Sequence, residues 1–167
     1  PLALLPLDGG TGDSSEPSVS DNGLQVAFSS TASDLITGFI DRNGDGRLDY
    51  DEISRTGFFG GAHEPKAQSR VVVVAAGTSD VAVGREAART LKYYGEPAAE
   101  INDVGVAGLW RLLERIEEIR RMQVVIAVAG MDAALPTVIG GLVSGAVIGV
   151  PTSVGYGVAS GGNSALN

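Results

Sequence analysis

An α/β fold, a three-layer αβα sandwich around a parallel sheet, is what residues 70–167 predict, with a small irregular calcium-loop segment ahead of it. Three observations predict it. Val71–Ala75 is an unbroken, mostly β-branched run, suited to a strand buried on both faces. Short apolar runs then alternate with helical spacings as far as Val150. The connections between them are short, which makes the strands parallel and the crossovers right-handed.

Composition bounds the rest. The chain has 167 residues, 44% of them hydrophobic and 19% charged, enough apolar material for a packed core. Net charge is −8, which argues against nucleic acid or an anionic membrane as partner. With no cysteine and a single histidine, His63, disulfides, thiolate sites and His-based triads lose their material. The acidity is uneven: residues 1–68 hold eleven acids against four bases, residues 69–167 nine against eight. The predicted organisation is an acidic segment over residues 1–60, a Gly/Pro/polar linker over 61–69 and the α/β domain over 70–167. Because the chain starts at Pro1 with no basic leader, it reads as a fragment or a processed chain. Met122–Val150 is apolar, but Asp132 and Pro136 near its middle favour a buried sheet over a membrane helix.

Residues 8–17 are rich in Gly, Ser and Asp and are expected to be disordered. Ser18–Ser30 reads as a turn followed by a strand. Its Ser20-Asp21-Asn22-Gly23-Leu24-Gln25-Val26-Ala27-Phe28 stretch resembles a TolB-like β-propeller repeat, though a generic Asn-Gly hairpin reads the same way, and a single copy closes no propeller. Residues 41–52 follow the EF-hand loop pattern: Asp41, Asn43 and Asp45 at positions 1, 3 and 5, Gly46 for the sharp turn, the Arg47 carbonyl at 7, Asp49 at 9 and Glu52 at 12. Such spacing gives a hard cation its oxygens from one loop, so Ca²⁺ is the expected ligand. A solvated acidic turn is the alternative. A lone hand whose exit runs into Gly57, Gly60 and Gly61 should bind weakly.

In the second part, helical spacing covers Val81–Tyr94, closed by Gly95. Ala98–Asn102 reads as a strand. Val106–Met122 is an amphipathic helix, with Leu109, Leu112, Leu113, Ile116 and Ile119 on the predicted inner face and a charged outer face where Glu117 can reach Arg121. Gln123–Ala129 follows as a strand, Asp132–Val143 as a helix and Ala146–Val150 as a strand.

Parallel sheets bind ligands beyond the carboxyl ends of their strands. Here those ends are Ala76–Asp80, Asn102–Gly105, Ala129–Leu135 and Pro151–Tyr156, all rich in Gly and small polar residues. Gly77-Thr78-Ser79-Asp80 can hold a phosphate or carboxylate with backbone N–H groups and two hydroxyls, or Asp80 can simply cap the helix. Neither a dinucleotide Gly-x-Gly-x-x-Gly nor a Walker A sequence is present.

Four stretches carry a resemblance: Ala76–Asp80, Asp103–Leu109, Val128–Pro136 and Val150–Gly157. Together, residues 71–166 resemble the PurE-like AIR-carboxylase superfamily, and within it the LarB branch, the nickel-pincer cofactor biosynthesis carboxylases. The resemblance implies a flavodoxin-like sandwich, a cytoplasmic enzyme and a homo-octamer. It also implies carboxylation of the pyridinium ring of nicotinic acid adenine dinucleotide by CO₂ or bicarbonate, with release of AMP and with Mg²⁺ accompanying the substrate. Carried onto this chain, the implied catalytic groups are Ser79, Asp80 and Asp103. The implied substrate contacts are Gly77, Thr78, Ser79, Asp80, Gly130, Met131, Ala134, Leu135, Pro136, Thr152, Ser153, Gly155 and Tyr156. The branch also places His where Trp110 stands and uses a cysteine that adds to the pyridinium ring, which this chain lacks, so the resemblance implies a domain truncated at its C-terminus. The alternatives are a calcium-binding module on a non-catalytic scaffold, which would suit an extracytoplasmic setting, and a PurE-type aminoimidazole ribonucleotide carboxylase or mutase.

Overall fold

The computed structural model describes residues 14–19, 26–30, 48–59, 63–130 and 133–154. The first sheet has four strands in the order β1-β2-β4-β3: β1 Ser14–Val19, β2 Val26–Ser30, β3 Leu48–Asp51 and β4 Thr56–Phe59. All three pairings are antiparallel. The expected strand at Val26 is there. The expected disorder does not hold for Ser14–Pro17, which lie in β1, because pairing to β2 supplies the backbone partners that local composition does not.

Residues 48–59 make a tight hairpin. Asp51 accepts from the Ser54 N–H at 2.9 Å and from its hydroxyl at 2.7 Å, closing the turn, and Arg55 takes the left-handed conformation, φ 56°.

The second sheet is parallel, in the order β6-β5-β7-β8: β5 Val71–Ala75, β6 Ala98–Ile101, β7 Val124–Ala129 and β8 Ala146–Pro151. Helix α1 spans Val81–Tyr93, α2 Leu109–Arg120 and α3 Ala134–Gly140. The predicted sandwich is present. Val72, Val74, Val125 and Ala127 point to one face, under Leu112, Ile116 and Ile119 of α2 and Leu135 and Ile139 of α3. Val71, Val73, Ile126 and Val128 point to the other, under Ala88 of α1. Gly84 is buried where α1 rests on the sheet, facing Val73, Ala75 and Val128. Among the described residues, no helix is long and apolar enough to cross a membrane.

Three expectations shift. The amphipathic helix starts as a 3-10 turn, Val106–Gly108, and becomes α2 only at Leu109. Its inner face is narrower than predicted: Leu112, Ile116 and Ile119 are buried, whereas Leu109 and Leu113 are 40% and 48% exposed. About three turns of 3.6 periodicity cannot decide which flank of an apolar stripe the sheet covers. Glu117 pairs with Arg120 at 2.8 Å instead of with Arg121.

The stretch leading into β5 is tied down. The His63 N–H donates to the Tyr93 carbonyl at 2.9 Å and the Lys66 N–H to the Gly95 carbonyl at 2.8 Å. Gly95 is required there: its φ is +75°, and a Cβ would sit 2.5 Å from the Glu64 carbonyl oxygen. Glu96 receives both Lys66 and Arg70.

The β3–β4 hairpin lies along α1. Arg89 is buried; its guanidinium donates to Thr56 Oγ1 at 2.6 Å, to the Asp49 carbonyl at 2.6 Å and to Asp49 Oδ1 at 3.1 Å. It also stacks over Phe58, 4.4 Å from the ring centroid. Arg85 binds Asp51 at 2.7 Å and Lys92 binds Asp49 at 3.4 Å. Phe58 and Tyr93 complete the seam, ring centroids 5.4 Å apart.

These ion pairs make stability acid-sensitive. Hydrogen bonds from Arg70 and Lys66 hold Glu96 at about 2, below its ordinary 4.5. Burial opposes ionisation of Asp51, but the Ser54 donors and Arg85 prevail and hold it at about 2, against 3.8 ordinarily. Asp49 is lowered too: Arg89 and Lys92 outweigh its burial. A carboxylate lowered on folding stabilises above its ordinary pKa and loses that contribution as pH falls through the folded value. Thermal unfolding followed against pH should therefore show stability falling between about pH 4.5 and pH 2. Glu96→Gln should flatten that fall, and an unchanged slope would remove the pair from the account.

Candidate functional site

In the strand order β6-β5-β7-β8 the chain runs from β5 out to β6 and back past it to β7, so the direction of winding reverses between β5 and β7. Beyond their carboxyl ends a crevice is expected. Two of the loops predicted from sequence flank it, and the other two adjoin them.

After β5, Thr78–Asp80 form a 3-10 turn leading into α1. Asp80 is only 4% exposed, and both its oxygens are occupied. Oδ2 accepts from the Gly77 N–H at 2.9 Å; Oδ1 accepts from the Thr152 hydroxyl at 2.7 Å. Asp80 therefore caps its own turn and ties the β5 loop to the β8 loop. Thr152, 3% exposed, spends its hydroxyl on this contact. Thr78 and Ser79 stay exposed, their hydroxyls open to a ligand.

After β7, Gly130 fits under the β8 loop. A Cβ on it would lie 2.2 Å from the Val154 carbonyl oxygen and 2.7 Å from Thr152 Oγ1. Ala133 follows in the left-handed region, φ 47°, its N–H bonded to the Gly130 carbonyl at 2.9 Å. An alanine there costs about 1–2 kcal/mol, and backbone strain of this kind gathers at ligand sites. Ala134 and Ser153 are exposed and Pro136 half-buried, whereas Leu135 belongs to the core at 1% exposure. Met131, Gly155 and Tyr156 lie outside the described residues.

After β6, Asp103 is also left-handed, φ 60°, which aspartate tolerates. Gly105 presses on the β5 loop: its N–H donates to the Ala76 carbonyl at 2.7 Å, and a Cβ would lie 2.7 Å from that oxygen. The first turns of α2 add two residues that sequence reasoning did not place at the site. Arg111, read as part of a solvated face, turns back to Asp103 at 3.4 Å over Gly108, where a Cβ would lie 2.7 Å from its Nη2. Its Nε is buried with no partner among the described residues. Trp110 is 61% exposed and lies beside the Arg111 guanidinium, 5.6 Å from the ring centroid. A glycine directly before an Arg-bearing first turn was the signal available.

Of the calcium-loop residues, Asp41, Asn43, Asp45 and Arg47 lie outside the described residues. Asp49 faces Arg89 and Lys92, and Glu52 is exposed in the hairpin turn. Among the described residues no three His, Asp or Glu side chains group as a metal site.

Loops of small residues at the reversal point, with the exposed hydroxyls of Thr78 and Ser79 and the arginine Arg111 at the start of α2, suit an anionic ligand. The family model that matches residues 70–165 is AIR carboxylase. The chain belongs to the AIR carboxylase family. Its matched part includes all four loops just described. An uncharacterized protein of Methanocaldococcus jannaschii is 44% identical over 98 residues, which is 58% of this chain and 38% of that protein. The chain thus spans well under half the length of that relative. Members of the AIR carboxylase family are carboxylases and mutases.

Proposed function

We propose that this AIR carboxylase-family domain takes nicotinic acid adenine dinucleotide and serves carboxylation of its pyridinium ring by CO₂ or bicarbonate, with release of AMP, as in the LarB branch. The observation that carries the reading is the set of loops at the carboxyl ends of the parallel strands. The Gly77–Asp80 loop offers two exposed hydroxyls, and Arg111, near Asp103 of the β6 loop, offers a partly exposed guanidinium. Asp103–Gly108 and Pro151–Gly157 are the stretches by which the sequence resembles this branch more than PurE-type enzymes. A pyrophosphate and a ring carboxylate are the anions such donors favour.

The ring is electron-poor, so C5 attacks CO₂ only after a nucleophile has added to the ring. Loss of the C5 proton and departure of the nucleophile then restore aromaticity; hydrolysis of the phosphoanhydride is a separate step. In the branch the nucleophile is a cysteine thiolate, and these 167 residues hold none. This chain is therefore read as a binder that positions the ring, with Thr78, Ser79 and Arg111 on the anionic groups and Asp80 with Thr152 fixing the loops. The described residues do not fit a magnesium cage: Asp80 has both oxygens occupied and Asp103 stands next to Arg111. Magnesium would arrive on the substrate phosphates, and no step is routed through it.

Isothermal titration of the dinucleotide into the folded chain, with Mg²⁺, tests the reading. Saturable binding competed by AMP is expected, with no carboxylated product by mass spectrometry after incubation with bicarbonate. Absence of heat at millimolar dinucleotide, in a chain shown to be folded, would overturn it.

A further inference from the structure

Trp110 is the single tryptophan of the chain, and 61% of it faces solvent. It is the second residue of α2, and in a right-handed crossover a helix starts from the carboxyl end of the strand before it. Trp110 therefore stands at the ligand end of the sheet. It already has a cation beside it, the Arg111 guanidinium at 5.6 Å. That same guanidinium has only a long contact to Asp103, 3.4 Å, and its side chain is 38% exposed.

We infer that Trp110 and Arg111 together form a recognition pair for a cationic aromatic ring that carries an acidic substituent: the indole face takes the ring, and the guanidinium takes the acid. This rests on the dinucleotide reading above and extends it to what selects the substrate. Tryptophan is the strongest aromatic partner for a cation, and Arg binds carboxylate and phosphate through paired N–H donors. An N-ribosylated nicotinate has both features, a positive ring and a ring carboxylate, with a phosphate further along. A neutral five-membered ring such as an aminoimidazole gains little from the indole. The charge on the ring, more than its shape, is then what this pair reads.

Because Trp110 is the sole indole, fluorescence reports on it alone. Nicotinic acid mononucleotide, nicotinic acid adenine dinucleotide and AMP would each be titrated, with emission and calorimetry recorded on the same samples. Both pyridinium nucleotides should quench emission along the calorimetric isotherm and raise a charge-transfer absorption to the red of the indole band; AMP should do neither. Trp110→Leu should weaken pyridinium nucleotides by about tenfold and leave AMP unchanged. Trp110→Phe should fall between, and all three proteins should melt alike, since the side chain is mostly exposed. Calorimetric binding with unchanged emission, or Trp110→Leu binding as the parent does, overturns the pair and leaves the dinucleotide reading standing. No heat from either pyridinium nucleotide removes both.

Discussion

Gly130→Ala is expected to collapse the carboxyl end of the parallel sheet more than any other single methyl group would. The added carbon would fall 2.2 Å from the Val154 carbonyl oxygen and 2.7 Å from Thr152 Oγ1. The first is backbone and cannot rotate away, so the β8 loop has to lift. Lifting it draws Thr152 from Asp80, whose oxygen it meets at 2.7 Å. One methyl then undoes both a close backbone approach and a buried hydrogen bond. A loss of about 3–4 kcal/mol is expected, the upper range for a point change. In a chain of this size that lowers Tm by about 6–16 °C. Dinucleotide binding should vanish with it. A melt within about 2 °C of the parent, roughly 1 kcal/mol or less, would show the loops to be looser than the packing implies.

Asp80→Ala should be nearly as severe, and for a separable reason. It leaves the Gly77 N–H and the Thr152 hydroxyl without the acceptors they now have at 2.9 and 2.7 Å. An orphaned buried polar group costs about 1–3 kcal/mol, so a fall of about 3 kcal/mol is expected. Asp80→Asn behaves differently. Its carbonyl can still accept from Gly77, and its amide can donate to the Thr152 oxygen, since a hydroxyl both gives and accepts. The asparagine variant should therefore melt within about 1 kcal/mol of the parent, whereas Thr152→Val should resemble Asp80→Ala. If Asp80→Asn also keeps dinucleotide affinity, the residue is a brace. If affinity falls at unchanged Tm, its charge acts on the ligand. An alanine variant that melts like the parent would contradict the brace altogether.

The parallel sheet was legible because its signals are local. The run Val71–Ala75 is the strand β5 residue for residue. Gly95 sits where the end of α1 needs a positive φ. The site loops could be named because parallel strands fix which end binds, and glycines mark close approach. What could not be read depends on partners distant in sequence. Arg85, Arg89 and Lys92 have the spacing of a solvated face, and only the hairpin, 34 to 43 residues earlier, makes them a seam. Leu109 and Leu113 have the spacing of a core stripe, yet the sheet does not extend under them. Arg111 looked like one more surface charge because its fold back over Gly108 depends on the turn that precedes α2. The twelve residues 41–52 suggested a metal loop by spacing, a pattern silent on whether Asp49 would meet two cationic side chains of α1.

The seam between the β3–β4 hairpin and α1 also bears on how such a domain can be moved by recombination. The family match begins at residue 70, but Arg89 and Tyr93, both buried, lean on Asp49, Thr56, Phe58 and His63. A gene fusion cut at the family boundary would inherit α1 with its outer flank stripped: a guanidinium without acceptors and a tyrosine ring in water. The heritable unit is therefore longer than the stretch that defines the family. On its other side β4 pairs with β2, so a crossover anywhere between β2 and residue 70 splits one physical object in two.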